Sequence, residues 1–559
     1  MGCRGWQPIY FLLTTGWVGP QRLRGSRQSL AEVLRKLDGR PYKLYRQIVG
    51  VPGSVGRVTV EVVRAQPDPY APPSVVKAKV PLPLRVSRLV PRYRKPVEDL
   101  IYRRLYRTLL RRSSKMGSGR SGYLGVPKPS PVMLSRSAVE ISGDYVTFRV
   151  WVGLPAQYRR IDSYAAEELL LNRLPEALTD ALALSEPEVQ KHIAAWEVQE
   201  HIRRQLNRFG LVAFIGDGSV LPRRCGRCDD PLPGAVPFES PPSLRVEIET
   251  PHGTFTGMGV PKGITLIVGP PYHGKTTLAE AIAHGVYNHV PGDGRELVVS
   301  DPSTVHVFAE NGRYVSCVDI SQFFVELPGN VNVKCFSTAD ASGATSVAAY
   351  IQESLEVGAR LLVLDEDYVP TNILVYDRAV EKYVSKRTVV TISERARELA
   401  AAGVSLIIVS SGLRQLVDAA DTIIAVEDYR VKAYRNARPE HSGDPYPLPK
   451  PRILRRARPP RKLSVRLKTI YSRDDGWYLE LGGNIHIVEE SQAKTIARIV
   501  SQSRRLVGNT MYTLCKLVEE KLSQGFEAIA GPRVGPDLAE VRCFEIVYAL
   551  NRLPFLEFG

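Results

Sequence analysis

Apolar and polar positions alternate along this chain in two rhythms, and the points where one gives way to the other predict its elements. A helical period over Leu30–Leu37 is followed by alternation at Arg57–Arg64 and again at Val75–Val80, with the Pro-rich stretch Gln66–Ser74 between them. From Pro96 to Arg112 the helical period returns. Val97, Leu100, Ile101, Leu105 and Leu109 share one face, while Arg103, Arg107 and Arg111, each four apart, form a basic stripe on another. Lys115–Gly122 is a flexible loop rich in hydrogen-bond donors, Tyr145–Val152 a strand, and Ser163–Phe209 a series of helices punctuated by Pro175 and Gly210. Leu211–Ile215 has the unbroken apolar character of a buried strand.

Past the Pro-rich stretch Pro231–Pro242 the pattern becomes strand, loop, helix, strand, helix, strand. That order predicts an α/β fold, a mainly parallel sheet with helices on both faces. The expected organisation is an extension over 1–27, an N-terminal α+β domain over 28–240, the α/β core over 241–435, a basic Pro-rich linker over 436–462 and a small C-terminal α+β domain over 463–559. A length of 559 residues exceeds one ordinary core, which agrees with several domains.

The sharpest local signal lies where the apolar run Ile264–Val268 meets Gly269-Pro270-Pro271-Tyr272-His273-Gly274-Lys275-Thr276-Thr277 and then a helical pattern from Leu278 to His284. This is the G-x-x-x-x-G-K-T phosphate loop in its required strand–loop–helix setting. Backbone N–H groups from His273 to Thr277 converge on phosphate oxygens at a helix N-terminus, and Gly274 lets the backbone approach. Lys275 places its charge on the terminal phosphates of ATP, and the Thr276 hydroxyl is a ligand for Mg²⁺. Further on, the apolar run Leu361–Leu364 ends in Asp365 and Glu366. Asp365 is placed to hold the Mg²⁺ shell and Glu366 to orient and deprotonate the attacking water. Between the two motifs, Ala341–Ser346 puts small hydroxylated residues at a helix start, as either an ordinary N-cap or an anion site.

Charge adds a partner. The formal excess of +17 is local: residues 85–120 hold twelve Lys/Arg against two acids, and residues 450–468 hold nine Lys/Arg and no acid. Patches of that density point to nucleic acid, the plainer alternative being solubilising charge or a basic linker. Arg103, Arg107, Arg111, Lys115 and Arg120 are the candidate phosphate contacts, with Tyr93, Tyr102, Tyr106 and Tyr123 interleaved as stacking or core residues. The chain lacks an apolar run long enough to span a membrane, so none is expected as a partner. Seven cysteines in this length do not make a disulfide scaffold. Cys225-Gly-Arg-Cys228 is a lone CxxC, open to free thiols, a local disulfide or half of a metal site. The apolar stretch Pro8–Val18 lacks a small-x-small cleavage pattern and is read as an extension.

These motifs together resemble the predicted ABC-class ATPases, a family of large single-chain ATPases distinct from transporters. The resemblance is carried by YHGKTTLAEAIAHGVYNHVPGDGRE (Tyr272–Glu296), FSTADASGATS (Phe336–Ser346) and LLVLDEDYVPTN (Leu361–Asn372), and shorter matches continue to VRCFEIVYALNRL in the tail. It implies an ABC-like P-loop ATPase core, an N-terminal domain that binds nucleic acid, a C-terminal accessory domain and a homodimer. In such dimers the P-loop of one subunit faces the signature Ser of the other. Ser342 and Gly343 would then reach ATP in trans, Asn372 would stand where the D-loop acid usually sits, and Gln322 would be the Q-loop residue. Two departures stand out. Pro270 and Pro271 replace glycines the family usually carries, and Ser411 occupies the position where transporters keep a His. A hydroxyl cannot carry that proton, so slow hydrolysis is compatible with the pattern.

The leading expectation is therefore a cytoplasmic, Mg²⁺-dependent ATPase, dimeric, coupling nucleotide state to binding of nucleic acid, with RNA as the first candidate. A nucleotide-switched ribonucleoprotein scaffold with little turnover is the alternative, and a transporter's ATPase subunit a more distant one.

Overall fold

A computed structural model describes residues 29–226, 228–383, 386–436 and 444–559. The expected extension over 1–27 and part of the expected linker lie outside the described residues. Ser29 caps the first helix, Leu30–Lys36, accepting from the Glu32 N–H while the Glu32 carboxylate accepts from the Ser29 N–H.

An antiparallel sheet follows, built from β1 (Pro52–Val55), β2 (Val58–Arg64), β3 (Ser74–Pro81), β4 (Leu124–Gly125), β5 (Val139–Ser142) and β6 (Tyr145–Val152), in the order β1-β2-β3-β6-β4 with β5 also on β6. Alternation places Val58, Val60, Val62, Val76, Ala78, Phe148 and Val150 on one buried face. The helix Val90–Arg112 packs there through Val97, Ile101, Leu105 and Leu109. It starts before the expected Pro96. That proline sits inside it and crowds the preceding turn, and the backbone leaves the helical region at Tyr93 (φ −126°, ψ 33°). A short hairpin, β7 (Ala156–Gln157) and β8 (Arg160–Ile161), precedes the helices of Ser163–Leu206.

The central region comprises β9 (Leu211–Gly216), β10 (Arg245–Thr250), β11 (Gly253–Pro261), β12 (Ile264–Val268), the helix Lys275–His284, β13 (Val298–Ser300), β14 (Thr304–Val307), β15 (Arg313–Val318), β16 (Phe336–Ala341), the helix Gly343–Glu356, β17 (Leu361–Asp365), β18 (Ser405–Val409), β19 (Thr422–Glu427) and β20 (Arg430–Arg435). Six of these strands form the main sheet, ordered β14-β17-β18-β12-β19-β20 and parallel except for β20. Its apolar runs are unbroken because both faces are covered. Ile267, Val363, Ile407 and Val409 point into one core with Leu278 and Ile282 of the helix Lys275–His284. Leu266, Leu362, Leu364 and Ile408 point into another with Val347 and Ile351 of the helix Gly343–Glu356.

Strand β9 pairs with β11 and β13 in a second, antiparallel sheet over the first core. It therefore belongs to the central region, although it falls before the domain boundary expected at residue 240. The Pro-rich stretch Pro231–Pro242 is an excursion between β9 and β10, two strands of one sheet.

The remaining strands are β21 (Leu454–Ala457), β22 (Ser464–Arg466), β23 (Thr469–Ser472), β24 (Trp477–Glu480) and β25 (Leu556–Phe558). Strand β21 pairs with β25 at the far end of the chain, and Arg452, which is buried, ion-pairs with Glu356 at 2.7 Å. The expected linker is thus anchored on the core at Tyr446, Arg452 and Leu454, and part of its charge is internal. Six of the seven cysteines form disulfides, Cys225–Cys228, Cys317–Cys335 and Cys515–Cys543. The lone CxxC is a local disulfide, and among the described residues no cluster of His, Cys, Asp or Glu is arranged to hold a metal. No described helix is long and apolar enough to cross a membrane.

Candidate active site

Three parallel strands, β12, β18 and β17, end side by side, and their tips carry the site. The acidic strand is not the immediate neighbour of the phosphate-loop strand. Strand β18 lies between them, with Ile267 in register with Val409 and Val409 in register with Asp365. The loop spans that gap. At its start, Gly269 (φ +148°) runs so close to β19 that a Cβ there would stand 2.1 Å from the Val426 carbonyl oxygen. At its end, Gly274 (φ +99°) turns the chain into the helix Lys275–His284.

From the first turn of that helix, the Thr276 hydroxyl donates to Asp365 Oδ2 at 2.7 Å. The Lys275 ammonium donates to the carbonyl oxygens of Gly269 (2.8 Å) and Pro270 (2.9 Å), folded back onto the loop. Burial pushes the Asp365 carboxyl above its ordinary value, while donation from the Asp367 N–H and from Thr276 opposes the shift. Beside it, Glu366 is held by two donors from the β18 tip. The Ser411 N–H reaches Oε1 at 2.6 Å and the Ser410 hydroxyl reaches Oε2 at 2.9 Å. Ser410 is fully buried and also accepts from the N–H groups of Gly412 and Leu413. Sequence reasoning singled out Ser411 and missed Ser410; the Ser-Ser-Gly turn after a buried strand was the available signal.

The rest of the loop leans on the turn between β19 and β20. His273 Nδ1 accepts from the Asp428 N–H at 2.8 Å, and Tyr272 projects almost fully into solvent. Next to the loop, Leu221, Phe238, Thr277, Val426 and Tyr429 line an apolar cleft of about 270 Å³. Nothing in the local motif announced this cleft, because its walls come from the Pro-rich excursion and a distant hairpin.

Ser342 and Gly343 share no hydrogen bond with this tip among the described residues. Ser342 is the exposed N-cap of the helix Gly343–Glu356, accepting from the Thr345 N–H at 3.3 Å. A Cβ on Gly343 would touch the Pro370 ring at 3.0 Å, so the signature abuts the turn that leads to Asn372. Gln322 is tied elsewhere: its carbonyl accepts from Arg395 of the helix Ile392–Ala401 at 2.8 Å.

The basic helix Val90–Arg112 is largely neutralised within the chain. Arg103 turns inward, pairing with Asp99 at 2.7 Å and donating to the Ser130 and Val132 carbonyls. Arg104 pairs with Glu188 at 2.7 Å, and Arg112 with Asp180 at 2.8 Å. Arg107 lies 3.5 Å from Glu188 and stays mostly exposed. Arg111, Lys115 and Arg120 are exposed, and among the described residues none of them meets an acid. Tyr102 is buried, its hydroxyl donating to the Pro127 carbonyl, which places it in the core.

Comparison with known proteins adds three matches to family models. The P-loop domain of ABC ATPases matches residues 185–443, the N-terminal domain of ATPases of the ABC class matches 27–185, and the MRB1590 C-terminal domain matches 481–558. The uncharacterized protein MJ1628 of Methanocaldococcus jannaschii is 32% identical over 244 residues, 42% of this chain. The chain spans about half the length of that relative, 54%. Among solved structures, the ADP conformation of MJ1267, an ATP-binding cassette of an ABC transporter, covers 40% of this chain and 91% of its own at 14% identity and a TM-score of 0.25. The cbiO1 protein of Clostridium perfringens, part of the transporter complex cbiONQ, covers 33% of this chain and 84% of its own at 16% identity and a TM-score of 0.23. Overlaps that loose carry no argument about this chain's partners.

Proposed function

The chain belongs to the ABC-class ATPases, and from that premise we propose that it binds and hydrolyses ATP as a homodimer and couples nucleotide state to binding of nucleic acid, RNA first. The observation that carries the reading is the 2.7 Å contact between Thr276 and Asp365, with Glu366 beside it on the same strand end. Hydroxyl and carboxylate oxygens are the hard donors Mg²⁺ takes, and these two already converge. When bound there, the ion neutralises charge on the terminal phosphates.

The protein's own groups supply the rest. The N–H groups opening the helix Lys275–His284 cradle the phosphates, and Lys275 exchanges its two carbonyl partners for phosphate oxygen. The apolar cleft beside Thr277 takes the flat base, with the Tyr429 ring as one wall. Glu366, aligned by Ser410 and the Ser411 N–H, orients a water and accepts its proton. Ser342 of a second subunit closes over the phosphates from outside, which fits its exposed position at a helix start. Arg111, Lys115 and Arg120 offer unpaired charge to a nucleic-acid backbone.

A nucleotide-switched scaffold with little turnover is the second reading. It is favoured by the Ser411 position, where Glu366 meets a backbone N–H rather than an imidazole. ATP turnover with and without RNA or DNA decides between them. Mg²⁺-dependent phosphate release, stimulated by RNA and losing that stimulation at high salt, is expected. Binding of ATP without release would establish the scaffold, and failure to bind ATP would overturn both.

A further inference from the structure

Behind the helix Lys275–His284, on the face away from Lys275, lies a cavity of about 600 Å³. It is enclosed by segments from several parts of the chain: Val132 from the N-terminal region, Arg223, Cys225 and Cys228, the helix itself, and Lys468 and Asn484 from the C-terminal region. Its volume is that of a small-molecule site, and its lining mixes charged with apolar side chains.

Several polar groups there are only partly partnered. Arg295 is 4% exposed and spends two of its nitrogens on the Leu221 carbonyl. Among the described residues neither it nor Lys468 makes a close ion pair, although Asp293 and Glu280 act on Arg295, and Asp229 and Glu489 on Lys468, through space. Burial holds both below their ordinary values, Arg295 to about 10. His289 is 1% exposed; its Nδ1 faces Asp293 Oδ2 at 2.6 Å, but its Nε2 is buried without a partner. Glu280 and His284, one turn apart on the helix, also line the cavity without a side-chain hydrogen bond among the described residues; burial pushes the Glu280 carboxyl up, and nearby Arg295 opposes the shift. Buried polar groups are normally satisfied, so a set this dense marks a place built for something else.

Lys468 is delivered there by an unusual turn. Leu467 and Lys468 join β22 to β23 with φ of +49° and +67°, a conformation that normally calls for Asn or Gly. Lys468 is the half-buried member of the pair, while Leu467 points to solvent.

We propose that this cavity binds a small phosphate monoester carrying hydroxyl groups, at a site separate from that of the ATP phosphates. Two cations without a close ion-pair partner, Arg295 and Lys468, hold the phosphate dianion. Glu280, His284 and His289 Nε2 supply the mixed donors and acceptors that hydroxyls need. The floor of the cavity includes Thr277 of the phosphate loop, so occupancy is sensed where the nucleotide binds. The inference goes beyond the ATPase reading and does not require it.

The test is equilibrium dialysis of radiolabelled inorganic phosphate, and then ribose 5-phosphate, against the full chain. The protein is first saturated with a non-hydrolysable ATP analogue, so that the phosphate loop is filled. One phosphate per chain is expected to remain bound, and Lys468→Met should weaken it about tenfold, the loss of one charge-assisted contact. Lys468 lies on a surface turn, so this variant keeps the fold, and a Glu280→Gln variant reads the hydroxyl arm: it should weaken ribose 5-phosphate but not inorganic phosphate. If the analogue displaces all phosphate, the cavity is part of the nucleotide site and the proposal falls. It falls equally if Lys468→Met binds phosphate like the parent. Should the chain bind no ATP analogue, Lys275→Ala clears the loop instead, and the same single phosphate must persist.

Discussion

Two helices in this protein present positive charge in ways that look alike in sequence and differ in space. The helix Lys275–His284 opens with one lysine after a glycine turn, and that lysine has only carbonyl partners. The helix Val90–Arg112 carries many basic residues, yet Arg103, Arg104 and Arg112 are each committed to an acid. The difference lies in where the partner comes from. The phosphate loop is a local device, whose donors and turns are all encoded within one stretch of chain. The charge of the basic helix is cancelled in part by its own Asp99 and in part by Glu188 and Asp180, which arrive on other helices. Density of charge therefore measures potential for binding only after folding has subtracted the internal pairs.

The largest expected effect tests the local device. Glu366→Gln keeps the shape and the Ser411 N–H contact but removes the proton acceptor. Steady-state turnover should fall by about 10²–10⁴, the usual contribution of a general base, with ATP affinity little changed. Unaltered phosphate release would show that Glu366 is only a strand-end acid.

The second test addresses the internal pairs. Arg136 is 2% exposed and bridges Asp99 at 2.6 Å to Glu489, joining the N-terminal region to the C-terminal one. Arg136→Met leaves two carboxylates buried without it and should cost about 3–5 kcal/mol in a denaturant titration. A loss below about 1 kcal/mol, the value of an exposed pair, would mean that the network is solvated and the subtraction argument fails.

How much of this was legible follows the same division. Ile264–Val268, Tyr145–Val152 and the Asp365–Glu366 pair could be read because period and turn chemistry are short-range. What escaped was long-range. The insertion of β18 between the two motif strands, the pairing of β21 with β25, and the burial of Arg452 against Glu356 each depend on residues a hundred or so positions away. Ser410 escaped for a different reason: a buried serine after a strand is common, and only the Glu366 contact gives it a role. The cysteines were underestimated because each of the two longer bridges joins segments that sequence leaves unconnected.

A third test separates the two regions by acid. Behind the phosphate tip, the His306 N–H donates to His486 Nε2 at 3.1 Å, which requires that nitrogen to be unprotonated. Burial holds His306 down to about 4 and His486 well below its ordinary value. The unfolded chain takes up these protons near 6.5 and the native one does not, so their contribution is complete above pH 6.5 and lost as pH falls toward 4. The loss from His306 alone should be roughly 3 kcal/mol. Asp99 behaves oppositely. Burial raises it, but Arg103, His192 and Arg136 outweigh burial and hold it well below the carboxylate range. The ion-pair network should thus survive at pH 5, where the histidine seam is already weakened. Hydrogen exchange at the two places measures this, and simultaneous loss would contradict it.

The smallest expected effect is the most discriminating for the proposed nucleic-acid surface. Arg107 and Arg111 sit one turn apart on the same stripe and count equally in any tally of charge. Arg107 lies 3.5 Å from Glu188, whereas Arg111 is exposed and, among the described residues, meets no acid. If pairing governs availability, Arg111→Gln should weaken RNA binding and lower the salt slope by about 1, the signature of one lost phosphate contact. Arg107→Gln should do less than half of that, because its charge is partly spent, and should alter stability by no more than about 0.5 kcal/mol. Filter binding across a salt series resolves the two slopes. Equal slopes would restore the simple count of charges, and a larger effect at Arg107 would mean that RNA displaces Glu188 and takes the arginine for itself.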